Sequence, residues 1–428
     1  MTTKRVAIAC QGGGTHAAFT WGVLTEILRT QEQWGAARST PTPSGDAAAT
    51  DDDFEVVAVS GTSAGALCAL ALWYGMVPNS VDPDCGTIDK AIERLDHLWT
   101  TFAASNPVES MHNSLTAEVL HLAEKGFPFA RTSPYAPWGD LALRGLSAVG
   151  ARPEYLGFAG LLPSLCPDFD AVDWAALADR DLRMVVGAIE VLSGNFEIFD
   201  SDKTLLDLGL VCHQSAEDQY NATRWRMRRP LSLEGVAASG TLPEVLRAQP
   251  IDDLAFPSRT PGVLERRTGY YWDGLYSQNP PVRDLLDTPS PERKPDEIWV
   301  VRINPQEFRP DTEHIGLDHI RDRVNALAGN LSLNGELDHI LTINKWLREY
   351  GNAHPPLAGR KVVDVRTIKM RRDTAWGLPH TSKFDRDPGH LSALRDEGQD
   401  VARAWLAQWR AEGAEFTSYP DDARYIDP

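Results

Sequence analysis

Residues 54–74 read Phe-Glu-Val-Val-Ala-Val-Ser-Gly-Thr-Ser-Ala-Gly-Ala-Leu-Cys-Ala-Leu-Ala-Leu-Trp-Tyr. The apolar run 54–59 predicts a buried strand, and 64–74 predicts a helix. Between them lies Gly61-Thr62-Ser63-Ala64-Gly65, a Gly-x-Ser-x-Gly element centred on Ser63. A serine pinched between strand and helix sits on a sharp turn with its hydroxyl exposed. The flanking glycines remove side chains that would collide there. The following helix aims its N-terminal amides at that hydroxyl. The arrangement predicts a nucleophile for acyl transfer, with a plain structural turn as the alternative.

A second glycine cluster lies upstream. Residues 4–10 read as the first strand and 17–28 as a helix with Ala18, Phe19, Val23, Leu24, Ile27 and Leu28 on its apolar face. Gln11-Gly12-Gly13-Gly14-Thr15-His16 joins them. Successive glycines at a strand-to-helix junction present backbone N–H groups that stabilise an anion. The anion could be a dinucleotide pyrophosphate, because Gly12-x-Gly14-x-x-Ala17 meets the loose pattern. It could equally be the oxyanion of a tetrahedral acyl intermediate. The dinucleotide reading lacks an acidic ribose-binding residue, since the stretch where it should fall, 35–53, is low in complexity. The oxyanion reading gains a nucleophile on the next strand. Gly12, Gly13, Gly14 and Thr15 are the candidate oxyanion loop. His16 and Ala64 are auxiliary candidates, His16 either assisting the oxyanion or capping and packing at the helix start.

Residues 269–275, Gly-Tyr-Tyr-Trp-Asp-Gly-Leu, read as an aromatic strand ending in Asp273-Gly274. The aspartate could reach a hydroxyl on a neighbouring strand, or merely open a turn, the commoner job of Asp-Gly.

In this order, Gly12-Gly13-Gly14-Thr15-His16, Gly61-Thr62-Ser63-Ala64-Gly65 and Asp273-Gly274 resemble the patatin-like phospholipase family. Residues 237–243, Ala-Ala-Ser-Gly-Thr-Leu-Pro, resemble its short Ala-Ser-x-x-x-Pro helix start. Residues 299–305, Trp-Val-Val-Arg-Ile-Asn-Pro, and 382–406 resemble its bacterial branch. The resemblance spans about 4–34, 54–75, 180–200, 231–345 and 380–410. It implies an α/β fold of three layers, a mostly parallel central sheet flanked by helices. It also implies a Ser–Asp dyad that cleaves lipid acyl esters with no histidine as base. Ser63 would then be the nucleophile, Asp273 the base, and 12–14 the oxyanion loop. A carboxylate within reach of the hydroxyl can take its proton, and burial should raise its pKa toward that task. The aromatic residues 270–272 are candidates for providing the burial.

The chain departs from the family pattern twice. Ala17 stands where a glycine is usual, costing about 1 kcal/mol if φ there is positive and helping if it is helical. Leu275 replaces the second glycine of Asp-Gly-Gly. The competing Ser–acid–His hydrolase fold could draw on His314, His319, His339, His354, His380 or His390, but it places several strands before its nucleophile, and here only one strand and one helix precede Ser63's strand.

With 428 residues and 42% apolar content, the chain can bury a large core. A net charge of −18 argues against a nucleic-acid partner and against electrostatic attraction to anionic membranes. Five scattered cysteines and no metal-ligand spacing predict neither metal nor cofactor. With no signal peptide or spanning segment in the pattern, a cytoplasmic enzyme is expected, with a lipid or acyl-ester substrate and transient membrane contact. The oligomeric state is left open. The expected organisation is one hydrolase domain over 1–428. Residues 35–53 form a flexible loop, 100–170 an insertion that serves as lid, acyl-pocket wall or plain helical addition, and 380–428 a C-terminal helical extension. Arg224, Arg226 and Arg228 fall on one face of a strand, to meet lipid phosphates or solvent. A partner-regulated effector or a weakly active lipid-binding protein of the same fold is the alternative function.

Overall fold

The computed structural model describes residues 3–39, 53–124, 134–179, 182–205, 226–243, 245–258, 264–288, 290–306, 317–351 and 353–413. The C-terminal tail of the expected extension, the core of the 35–53 loop, Cys212, Arg224 and His314 lie outside them, as do the side chains of Arg226, His319 and His380.

Nine strands form one sheet: β1 (Lys4–Cys10), β2 (Phe54–Gly61), β3 (Arg183–Glu190), β4 (Phe196–Asp200), β5 (Arg226–Pro230), β6 (Gln249–Pro257), β7 (Leu264–Asp273), β8 (Glu297–Arg302) and β9 (Asp364–Lys369). The order is β5-β4-β3-β2-β1-β8-β9, with β7 also on β3 and β6 on β7. Strands β9, β8, β1, β2 and β3 run parallel, and β4 and β5 are parallel to each other. The pairs β3–β4, β3–β7 and β6–β7 are antiparallel. A parallel centre must be covered on both faces, which explains why β1, β2, β3 and β8 are almost wholly buried and read as continuous apolar runs.

Twelve helices are present among the described residues: α1 (Ala18–Ser39), α2 (Ala64–Met76), α3 (Ile88–Phe102), α4 (Pro107–Glu124), α5 (Pro137–Ala148), α6 (Pro153–Leu156), α7 (Phe158–Leu165), α8 (Trp174–Asp179), α9 (Leu233–Ser239), α10 (Leu317–Tyr350), α11 (Arg372–Gly377) and α12 (Pro388–Glu412). One face of the sheet packs on α1, α2 and α12, where Phe19, Leu24, Trp73, Trp299, Trp405 and Trp409 join one core. The other face carries Ala7, Ala9, Val185, Ile298 and Val300 against Leu333, Leu337 and Ile340 of α10. This is the expected three-layer arrangement. The prolines that break up 100–170 open three of its helices at the first turn, where the missing N–H is no loss.

Two elements differ from the sequence reading. Strand β6 has no counterpart there, because Pro250, Asp252, Asp253 and Pro257 interrupt any alternation. It is an edge strand with a register shift between Ile251 and Leu254, and Asp253 sits there at φ 56°. Arg228 turns inward to Asp200, Asp284 and Asp287, at 2.6, 3.4 and 2.6 Å, so this arginine serves an internal ion cluster and is not offered to lipid phosphate. Ala17 ends a short 3-10 turn (Gly14–Ala17) and has no positive φ, so the methyl group carries no backbone penalty.

Candidate active site

Strand register places the serine and the aspartate together. Along the same edge of β3, the last pair with β2 is Gly61–Val186, and the last pair with β7 is Asp273–Ala188. Strand β7 enters antiparallel where β2 stops, so the two strand ends meet head-on, about 7 Å apart along β3. Ser63 begins α2 two residues past Gly61. Asp273 ends β7.

The turn at Ser63 is strained, with φ 55° and ψ −130°. Its close packing requires glycine on either side. A Cβ at Gly65 would come within 2.3 Å of the Cys10 carbonyl oxygen, and one at Gly61 within 2.4 Å of the Gly65 carbonyl oxygen. The strained peptide is held from below by Ser239. The Ser63 N–H donates to Ser239 Oγ at 3.0 Å, and the Ser239 hydroxyl donates to the Gly187 carbonyl at 2.7 Å. Ser239 is fully buried at the end of α9, in the 237–243 segment. The Asp273 N–H donates to the Thr241 carbonyl at 2.9 Å, so the same segment braces both Ser63 and Asp273.

Asp273 is fully buried. Its Oδ1 accepts from the Leu275 N–H at 2.8 Å. Burial pushes its pKa up to about 7, against the opposing pull of the Leu275 amide and the Ser63 hydroxyl. Oδ2 is buried and closes no hydrogen bond in the resting protein. The Ser63 hydroxyl is among the neighbours that lower the carboxyl's pKa, so it lies beside Asp273. Of the aromatic residues of β7, Tyr271 is buried and Tyr270 stands half exposed.

The glycine loop is fixed by residues the sequence reading left unassigned. The Gly12 N–H donates to Asn279 Oδ1 at 2.6 Å. The Gly12 carbonyl accepts from Asn304 Nδ2 at 2.6 Å and Asn279 Nδ2 at 3.4 Å. Gln11 Oε1 accepts the N–H groups of Ile303 and Asn304, at 3.0 and 2.9 Å. Gly12's amide is thus occupied. The amides of Gly13 and Gly14 have no protein partner among the described residues. Gly14 has φ +61°, and a Cβ there would meet the Lys383 carbonyl oxygen at 2.3 Å, so only glycine fits. Thr15 turns its hydroxyl to the Ser382 carbonyl at 2.7 Å, and His16 Nε2 meets Ser382 Oγ at 2.7 Å. Both are buried and join the glycine loop to the C-terminal segment. Ala64 opens α2 directly after Ser63.

A cleft opens over these groups. Gly12, Gly13, Gly14, Ser63 and Asp273 form its floor, and Leu242, Val245, Leu275, Ala326 and Phe384 supply apolar wall. Asn279, Asn304, Asn325 and Lys383 add the polar contacts. An apolar slot with a few convergent polar groups is the usual form of a small-molecule site. A second cleft, bordered by Arg5, Trp174, Lys203 and Arg293, contains none of the glycine-loop residues, nor Ser63 or Asp273. Among the described residues no cluster of His, Cys, Asp and Glu has the arrangement to hold a metal ion. No helix among them is long and apolar enough to cross a membrane.

The sequence profile of the patatin-like phospholipases matches residues 8–286. No curated protein matches the chain. Among solved structures, VipD from Legionella pneumophila aligns over 95% of this chain and 67% of its own, at 12% identity and a TM-score of 0.36. The profile match takes in more than half of the 428 residues and includes the glycine loop, Ser63, Ser239 and Asp273. The chain belongs to the patatin-like phospholipase family of lipid hydrolases.

Proposed function

We propose that the protein hydrolyses acyl esters of lipids with a Ser63–Asp273 dyad. One observation carries this reading: a fully buried carboxyl with a pKa near neutrality lies where the nucleophile turn ends, with one oxygen uncommitted. Ser63 Oγ attacks the ester carbonyl as its proton passes to Asp273. The carbonyl oxygen gains negative charge beside the uncommitted amides of Gly13 and Gly14. Collapse expels the lipid alcohol, which takes the proton back from Asp273, and leaves an acyl ester on Ser63. Water then attacks that ester while Asp273 accepts one of its protons. The second collapse releases the fatty acid and returns the proton to Ser63.

The walls fit this substrate class. Leu242, Val245, Leu275 and Phe384 suit an acyl chain, and Asn325 and Lys383 can meet a polar headgroup. Asn304, Asn325, Lys383 and Phe384 lie beyond the matched residues, which supports treating the whole chain as one working unit. The test is turnover on a panel of phospholipids and p-nitrophenyl esters by wild type and Ser63→Ala, together with covalent labelling of Ser63 by a fluorophosphonate. Wild-type turnover and labelling that both vanish in Ser63→Ala are expected. A Ser63→Ala protein that keeps more than a tenth of the rate overturns the dyad.

A further inference from the structure

The buried side of α10 carries polar groups as well as apolar ones. Asn330 and Glu336 are buried there, and Ser332 is partly so. Asn330 Oδ1 accepts from Gln11 Nε2 at 2.9 Å, and its Nδ2 donates to the Pro305 carbonyl at 3.1 Å. Ser332 Oγ donates to the Ser277 carbonyl at 2.6 Å. Glu336 accepts the N–H groups of Val282 and Arg283 at 2.8 and 3.0 Å, together with the side-chain amide of Gln278. Leu333, Leu337 and Ile340 already pack this helix on the sheet, so burial alone does not call for a carboxylate. A buried carboxylate is costly unless N–H donors meet it, and these three do.

Through these bonds α10 reaches both halves of the site. The Gln278 carbonyl accepts the hydroxyl of Thr62, the residue before Ser63, at 2.6 Å. The next residue, Asn279, accepts the Gly12 N–H. Asn330 reaches the glycine loop at Gln11, whose Oε1 in turn holds the amides of Ile303 and Asn304. At Gly329 the helix lies directly on this step, because a Cβ there would come within 2.8 Å of both Asn279 Nδ2 and Leu275 Cδ1. The family match stops at residue 286, so α10 lies beyond it while Gln11, Thr62 and 277–283 lie within it.

We infer that Glu336 is a positioning residue: by fixing 278–283 from α10, it sets the Ser63 turn against the amides of Gly13 and Gly14. This rests on the hydrolase reading above. Neither Glu336 nor Gln278 lines the cleft, so the effect falls on the geometry of the reacting groups and not on ester binding.

The experiment uses the full chain and p-nitrophenyl butyrate. Glu336→Ala should lower kcat at least about tenfold and leave KM within about twofold, since small displacements of reacting groups cost rate more than binding. Glu336→Gln keeps one oxygen for the Val282 and Arg283 amides, and Gln278 Oε1, buried and without a hydrogen bond among the described residues, can turn to accept the new amide. That variant should recover most of the rate. Gly329→Ala removes no buried charge and adds a methyl against Asn279, so kcat should fall although alanine favours a helix. Leu331→Ala, on the exposed side of the same helix, should leave kcat unchanged. Hydrogen exchange of the Gly12 and Ser63 amides reads the positioning without turnover, and both should exchange faster in Glu336→Ala while α12 does not change. A Glu336→Ala enzyme with kcat within twofold of wild type, a KM rise with kcat unchanged, or Gly12 and Ser63 amides that exchange as in wild type overturns the proposal. If Glu336→Ala fails to fold, Gly329→Ala decides, and a kcat within twofold of wild type overturns it. A wild-type protein that turns over no ester sinks the hydrolase reading, and exchange at Gly12 and Ser63 still decides the positioning.

Discussion

Asn279 accepts the Gly12 N–H on its side-chain oxygen at 2.6 Å, and so ties the glycine loop to the segment that follows Asp273. Asn304 holds the next peptide, Gly12–Gly13, by donating to the Gly12 carbonyl at 2.6 Å. Gly12 is thus held on both sides, and the Gly12–Gly13 peptide, which carries the Gly13 N–H, is oriented through its carbonyl. The proposed base and the proposed oxyanion donors are registered to each other by one asparagine six residues beyond the base.

Asn279→Ala should therefore lower kcat by roughly ten- to a hundredfold and leave KM within about twofold. Displaced donors forfeit part of the 10²–10³ that losing one outright costs, and an amide shift acts on the oxyanion more than on the bound ester. Unfolding should become easier by about 1–3 kcal/mol, because the buried Gly12 N–H loses its acceptor. Steady-state kinetics on a soluble ester and a urea titration give both quantities. A KM rise with kcat unchanged would place Asn279 in substrate binding instead.

Ser239→Ala tests the brace beneath Ser63. The Ser63 amide would lose its acceptor, and a residue at φ 55° has every reason to relax when released. We expect kcat to fall at least tenfold, with slower fluorophosphonate labelling of Ser63. Ser239→Thr keeps a hydroxyl and should recover part of the rate if its methyl is accommodated. A Ser239→Ala enzyme of full activity would show that the turn holds its shape without the brace.

The strands that build the centre were legible because both faces of the sheet are covered, and runs such as 54–59 need no alternation to be recognised. Ser63 was legible because its turn is local. Asp273 was not fixed by its own neighbourhood, since Asp-Gly is ordinary turn chemistry. What makes it special is the register of β7 on β3, a pairing of residues some 85 positions apart. Asn279, Asn304 and Lys383 were invisible as site residues for the same reason, each arriving from a different element with no local pattern. Val324, Leu327 and Leu331 of α10 face solvent because they lie on the side of the helix opposite Leu333, Leu337 and Ile340, which are buried against the sheet.

Asp273→Asn should kill activity and stabilise the protein. The carboxyl's folded pKa, about 7, lies above its ordinary value of 3.8. Between those values the folded state holds more protons than the unfolded one, so stability is full below the lower value and declines as pH rises through the higher. At pH 8 the native protein bears the whole cost of a buried charge, on the order of a few kcal/mol. The amide bears none. Thermal melts at pH 5 and pH 8 should show the Asp273→Asn protein gaining on wild type at the higher pH, while ester turnover falls at least a thousandfold. Equal melting shifts at both values would mean that Asp273 titrates near its ordinary value.

The last prediction separates this carboxylate from a histidine that would titrate in the same range. The base must be ionised to accept the Ser63 proton, so kcat/KM should rise with pH on a single ionisation near 7 and level off above it. An imidazole base would give a similar curve. Temperature distinguishes them, because a carboxylic acid ionises with almost no heat and an imidazolium with a large uptake. The midpoint should hold nearly still between 10 and 40 °C if Asp273 is the base, and fall clearly if a histidine is. Among the described side chains, His339 and His354 stand exposed, and the His390 ring lies edge-on to that of His16, 6.4 Å between centroids. None of the three lines the cleft with Ser63. Single replacements of each should leave turnover within a few-fold of wild type. A midpoint that moves with temperature, together with one folded but inactive histidine variant, would transfer the proton from Asp273 to that ring and end the dyad.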